Sequence, residues 1–138
     1  MIEVTYCERI GKQLYELIDA EFNQFAIDNG VSCDYHSFAF TAKEEDKIVG
    51  VITGHTYYKE IHIDDLIVLK KYRYNHIGSK LVKAVEDFYK EKGFEYINLT
   101  THEFQAPEFY KKCGYKIEFI RENKDNPKLT KYFFVKYY

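Results

Sequence analysis

The chain has 138 residues, 20 Lys and Arg against 22 Asp and Glu, a formal net charge of −2 and a 46% hydrophobic content. That length and apolar share can fill one core, so one domain over residues 1–138 is expected. The slight acidity leaves no global positive field to draw the protein to nucleic acid or to an anionic membrane.

The three cysteines, Cys7, Cys33 and Cys113, lie far apart with no CxxC or CxH spacing. This argues for reduced thiols and against a disulfide frame or a metal site. The N-terminal MIEVTYCERIGK has early acids and no apolar run, and no segment approaches membrane-spanning length, so a cytoplasmic protein is expected.

Leu14, Leu17, Ile18, Phe22 and Phe25 recur at helical spacing before Asn29 and Gly30, which predicts an amphipathic helix over residues 11–28. Ser37–Lys43 and Lys47–Tyr58 are β-rich runs around the polar Glu44, Glu45 and Asp46, a hairpin signal. Glu60–Leu69 follows after a short turn and completes a three-stranded antiparallel meander.

At Ile77 the period changes. Ile77, Leu81, Val82, Val85, Phe88 and Tyr89 share an apolar face, and Gly93 supplies a stop. Tyr96–Thr101 reads as a strand, Ala106–Cys113 as a short helix opened by Pro107, and Tyr115–Ile120 as a strand. Strand, helix, strand at this spacing predicts parallel pairing of the two flanking strands. A polar loop, Arg121–Lys128, leads to Lys131–Tyr138, read as a final edge strand whose aromatic KYFFVKYY could pair two copies into a homodimer.

Most chemistry lies in Asp65–Lys80, DLIVLKKYRYNHIGSK: an apolar strand, a basic turn and a helix opening near Gly78 and Ser79. That order gathers free backbone N–H groups, the positive end of a helix dipole and Arg73 around one point, a socket for phosphate. The run Lys70–Tyr74 also has the basic and aromatic types of a nucleic-acid patch, but net acidity and the immediate helix entry make that reading minor.

IVLKKYRYNHIGSKLV, with Arg73 opening an RxxGxG/A-like loop, and APEFYKKCGY, with its Gly-aromatic pair, occur in the order and distance found in one family. From about Phe38 to the C-terminus the chain resembles the GNAT superfamily of acetyl-coenzyme A-dependent N-acetyltransferases. The resemblance implies an α/β (α+β) fold with a mixed, V-splayed sheet of about six to seven strands flanked by about four helices. It implies acetyl-CoA as cosubstrate, no metal, and direct acetyl transfer to a primary amine of a small molecule or peptide.

Carried onto this sequence, the resemblance puts the pyrophosphate on Arg73 and on the amides of Tyr74, Asn75, His76, Ile77, Gly78, Ser79 and Lys80. It puts the pantetheine arm along Val68 and Leu69, and extends the coenzyme contacts to Glu103 and Phe109. A backbone N–H near Val68 would stabilise the oxyanion.

The first loop glycine of the family falls on His76, where a side chain either crowds the phosphate or, protonated, adds a donor. Glu103 replaces an asparagine common among relatives, and its carboxylate could instead face the substrate amine. Tyr110 occupies the place of a tyrosine that protonates the departing thiolate; packing beside Phe109 and Tyr115 is the plainer alternative.

A base is needed for the ammonium, and His62 or Asp64, on one face of the third strand, is the candidate. Cys113 reads as a small buried side chain rather than a nucleophile. A noncatalytic coenzyme-binding module is the alternative to an enzyme.

Overall fold

The computed structural model describes residues 1–138, which divide into two units, 1–34 and 35–138. In the first, helix α1 spans Lys12–Asp28, as its apolar period predicts. Asn29 N–H bonds the Phe25 and Ala26 carbonyls, and Gly30, at φ +72°, takes the chain out of the helix.

The second unit runs β1 (Tyr35–Glu44), β2 (Lys47–Tyr57), β3 (Glu60–Val68), a 3₁₀ turn at Lys70–Tyr72, α2 (Ile77–Tyr89), β4 (Tyr96–His102), α3 (Pro107–Lys112), β5 (Lys116–Arg121), a second 3₁₀ turn at Pro127–Leu129, and β6 (Lys131–Tyr137). The six strands form one sheet in the order β1-β2-β3-β4-β6-β5, with β3–β4 parallel and every other pair antiparallel. The mixed α/β fold matches expectation, with three α-helices rather than about four. None of the helices is long and apolar enough to cross a membrane.

Two features position the site. Between β2 and β3 the register shifts: Thr53 faces Asp65 and Gly54 faces Ile63, so Asp64 is the extra residue of a bulge. Gly54 is required there, because a Cβ would stand 2.2 Å from the His62 carbonyl oxygen. The bulge carries the core-facing series from Ile61 and Ile63 to Leu66.

Between β3 and β4 the pairing is short. Glu60, Ile61 and His62 pair with Tyr96, Ile97 and Asn98, after which the strands part. The expected V-splay is therefore present, with His62 and Asn98 at its apex.

Helix α2 buries Leu81, Val82, Val85 and Tyr89 against one sheet face, where they join Ile52, Ile61, Ile63, Ile97, Leu99 and Phe134 in the core. Phe88, expected on that face, is instead 51% exposed, with the Lys92 ammonium 3.6 Å from its ring centroid. The helix ends at Tyr89 rather than at Gly93, which sits at φ +92° in the following turn.

Two strand predictions are corrected. β5 does not pair with β4, because β6 returns between them and bonds both. β6 is accordingly interior rather than an edge, with Phe134 and Val135 buried, so pairing of two copies along its free edge has no basis. The edges are β1 and β5.

Candidate active site

The junction from β3 to α2 is folded by its own hydrogen bonds. Leu69 N–H donates to the Val49 carbonyl at 2.9 Å, and Tyr72 N–H to the Leu69 carbonyl at 2.8 Å. The Arg73 Nε–H turns back to the Val68 carbonyl at 3.0 Å. The Asn75 amide nitrogen donates to the carbonyls of Tyr72 and Arg73 at 3.2 and 3.3 Å.

Tyr74 and His76 both adopt left-handed backbone, φ +67° and +61°, which most side chains disfavour. The first turn of α2 is set by Lys80 N–H and the Ser79 hydroxyl, both donating to the His76 carbonyl. The N–H groups of Ile77, Gly78 and Ser79 consequently have no carbonyl one turn back.

Beside this junction opens a cavity of about 1190 Å³ between the end of β3, the loop, α2 and α3. Gly78 lets α3 close in: a Cβ there would lie 3.2 Å from Cε1 and Cζ of Phe109. Further along α2, Glu86 accepts from the Tyr115 hydroxyl at 3.0 Å and from Lys136 Nζ at 3.2 Å. Lys136 also donates to the Cys113 carbonyl at 3.0 Å, fixing the end of α3 against α2 and β6. Burial, then the Glu86 charge, raises the Cys113 thiol pKa, so this cavity-lining cysteine stays protonated at neutral pH.

The opposite face of the sheet carries a second, smaller cavity of about 400 Å³ at the apex of the splay. His62 and Asn98 line it, their side chains joined by a 2.6 Å hydrogen bond from Nδ1 to Oδ1. The Asn98 amide nitrogen donates to Glu60. Asp64 accepts from His55 Nδ1 at 3.2 Å and lies 3.9 Å from His62 Nε2. The His55 ring lies between those of Tyr35, at 5.1 Å, and His62, at 5.2 Å.

The model of the acetyltransferase (GNAT) family matches residues 7–115. The chain belongs to this family.

Among similar proteins, blasticidin-S acetyltransferase of Streptomyces morookaense is 30% identical over 79 residues, covering 56% of this chain and 58% of that relative's length. An acetyltransferase from Bacillus cereus ATCC 14579 is 31% identical, with a TM-score of 0.77 over 97% of this chain and 98% of its own. A GNAT family acetyltransferase from Elizabethkingia anophelis, solved with acetyl-CoA bound, shares the fold at a TM-score of 0.64 and 20% identity over 92% and 85% of the two chains.

Of the residues the GNAT resemblance singled out, Val68, Arg73, Tyr74, His76, Ile77, Gly78, Ser79 and Phe109 line the larger cavity. Leu69 and Asn75 shape the loop behind it, and Lys80 closes the first helical turn. Glu103 lies outside both cavities. Its carboxylate accepts from the Tyr132 hydroxyl and its N–H bonds the Thr130 carbonyl, so it ties the β4–α3 loop to β6.

Tyr110 is 6% exposed and stands in the core behind the wall formed by Phe109 and Cys113, against Phe134 and Tyr115. Burial pushes its phenol up to about 12. His62 and Asp64 come together as expected. His55 and Asn98 were missed, because neither is near them in sequence; the signal that finds them is strand register, with His55 opposite His62 on β2 and Asn98 opposite it on β4.

Proposed function

We propose that this chain is an N-acetyltransferase that uses acetyl-CoA to acetylate a primary amine of a small molecule or peptide. The observation that carries the reading is the larger cavity with a helix N-terminus at its mouth and the splayed strand along its side.

The residues fit the coenzyme on their own terms. Unbonded N–H groups at Ile77, Gly78 and Ser79, with the α2 dipole behind them and Arg73 beside them, suit a pyrophosphate. Beyond His62 the edge of β3 that faces β4 is unpaired, which leaves the Val68 N–H for a pantetheine carbonyl. When bound, acetyl-CoA supplies an activated acetyl thioester.

The chain's residues supply the rest. Asp64, exposed at the apex, attracts an ammonium; His62 takes its proton, directly or through one water, so that a neutral amine attacks. The N–H near Val68 is a fixed dipole for the charge that develops on the acetyl oxygen. Tyr110, which keeps its proton at neutral pH, is the donor proposed for the departing thiolate; it stands behind Phe109 and Cys113, so that wall must open for the transfer. The relationship to an enzyme acting on blasticidin S favours a small-molecule acceptor over a protein.

The test is thiol release from acetyl-CoA across a panel of amine antibiotics, polyamines and peptide N-termini. Turnover on at least one amine, lost in His62→Gln, supports the reading. A second reading, a noncatalytic coenzyme-binding module, is motivated by the side chain at His76 and the burial of Tyr110. It predicts tight coenzyme binding with no turnover on any amine.

A further inference from the structure

We propose that Asn98, itself oriented by Glu60, is a positioning residue that holds His62 as the tautomer with its hydrogen on Nδ1 and its lone pair on Nε2. This rests on the reading of His62 as the base. It adds what decides which ring nitrogen does the work.

The Glu60 carboxylate can only accept. It accepts from the Asn98 amide nitrogen. The NH₂ end of the Asn98 amide is thus assigned to Glu60, and the carbonyl end to His62. Reversing the amide would set the Asn98 oxygen against a carboxylate oxygen, two acceptors with no hydrogen between them.

With Oδ1 facing His62 Nδ1 at 2.6 Å, the imidazole nitrogen must donate. A neutral imidazole that donates from Nδ1 is bare at Nε2.

Nε2 is also the nitrogen on the side of the exposed Asp64. It lies 3.9 Å from Asp64, too far for a direct bond and close enough for a water or ammonium to touch both. Asp64 itself is held by His55, whose ring is tilted by 33° over the His62 ring and limits its rotation. His62 and Asn98 form the last paired rung before β3 and β4 part, so the relay ends where the sheet opens. Reversed, a hydrogen on Nε2 would leave nothing on the ring to accept a proton from that side.

The experiment is ¹⁵N-resolved NMR of the histidine rings in the full chain, at a pH where His62 is neutral, alongside steady-state kinetics. Wild type should show a pyrrole-type Nδ1 and a pyridine-type Nε2 for His62. Asn98→Ala should mix the two tautomers and lower kcat about tenfold or more with the acetyl-CoA KM unchanged. Glu60→Gln, which leaves Asn98 in place but frees its amide to turn, should move both readouts the same way.

The proposal is overturned if wild-type His62 carries its hydrogen on Nε2, or if both variants keep the wild-type tautomer. A tautomer as described, together with full turnover in His62→Gln, would uphold the positioning by Asn98 and defeat the role of His62 as base.

Discussion

The ring of Phe109 on α3 packs tightly over Gly78: a Cβ there would meet Cε1 and Cζ at 3.2 Å, so the ring would have to give by a few tenths of an ångström. One glycine therefore sets how closely the two helices approach at the mouth of the larger cavity. Gly78 is the second residue of α2, so Gly78→Ala gains less than the about 0.5–1 kcal/mol of a helix interior, against an overpacking cost of about 1 kcal/mol as the Phe109 ring, itself packed on the core, gives way. The second effect wins. Thermal melts should show a small loss of stability, and the acetyl-CoA KM should rise severalfold while the amine KM stays put.

Arg73 uses its Nε on the Val68 carbonyl, which leaves the remaining guanidinium donors for a phosphate. A lysine cannot bridge strand and ligand in that way. Arg73→Lys should raise the acetyl-CoA KM about tenfold, a loss near 1.4 kcal/mol, and weaken it further as salt is added. Initial rates at two ionic strengths check this.

His76 sits at φ +61°, a backbone conformation that favours glycine. Left-handed backbone costs a side chain roughly 1–2 kcal/mol, and the extra unfolded-state freedom of glycine costs about 0.5–1 kcal/mol. His76→Gly should therefore stabilise the fold slightly, raising the melting temperature by a few degrees. Calorimetry then separates the two ways His76 can act: tighter acetyl-CoA binding in the variant means the ring crowds the phosphate, and weaker binding means it donates to it.

Burial moves the Tyr110 phenol from its ordinary value near 10 to about 12, which corresponds to roughly 3 kcal/mol in favour of the neutral form. The folded value lies above the unfolded one. Its contribution is thus fully present below pH 10 and is lost as pH rises toward 12. Tyr110→Phe should blunt the fall in melting temperature between those limits. The same variant should lower kcat about 100-fold at neutral pH if the phenol donates to the thiolate, and leave kcat unchanged if Tyr110 only packs.

What the sequence revealed followed the physics of local pattern. The 3.6-residue period of Leu81, Val82, Val85 and Tyr89 marks α2, and the turn residues Glu45 and Asp46 mark the first hairpin, because neighbours in sequence decide both. The strand, turn and helix start from Val68 to Lys80 were equally readable, being contiguous in sequence.

The place of β6 between β4 and β5 was not, since alternation in KYFFVKY states that a strand exists but not which strands it joins. The polar apex was half visible for the same reason. His62 and Asp64 share one strand, whereas His55 and Asn98 reach them only through cross-strand register, and that register depends on the bulge beside Gly54. Glu103 was placed near the coenzyme by the GNAT resemblance alone, and the engagement of its carboxylate by the Tyr132 hydroxyl depends on a strand 29 residues away that local pattern does not reveal.

Calorimetric titration of the full chain with acetyl-CoA reads out whether the β3–α2 junction holds the coenzyme. The account predicts one binding event per chain, with a melting temperature that rises with ligand, toward about 2.7 kcal/mol of stabilisation at a hundredfold excess over Kd. It also predicts that Arg73→Lys weakens both signals. No heat and no thermal protection at millimolar acetyl-CoA would contradict it.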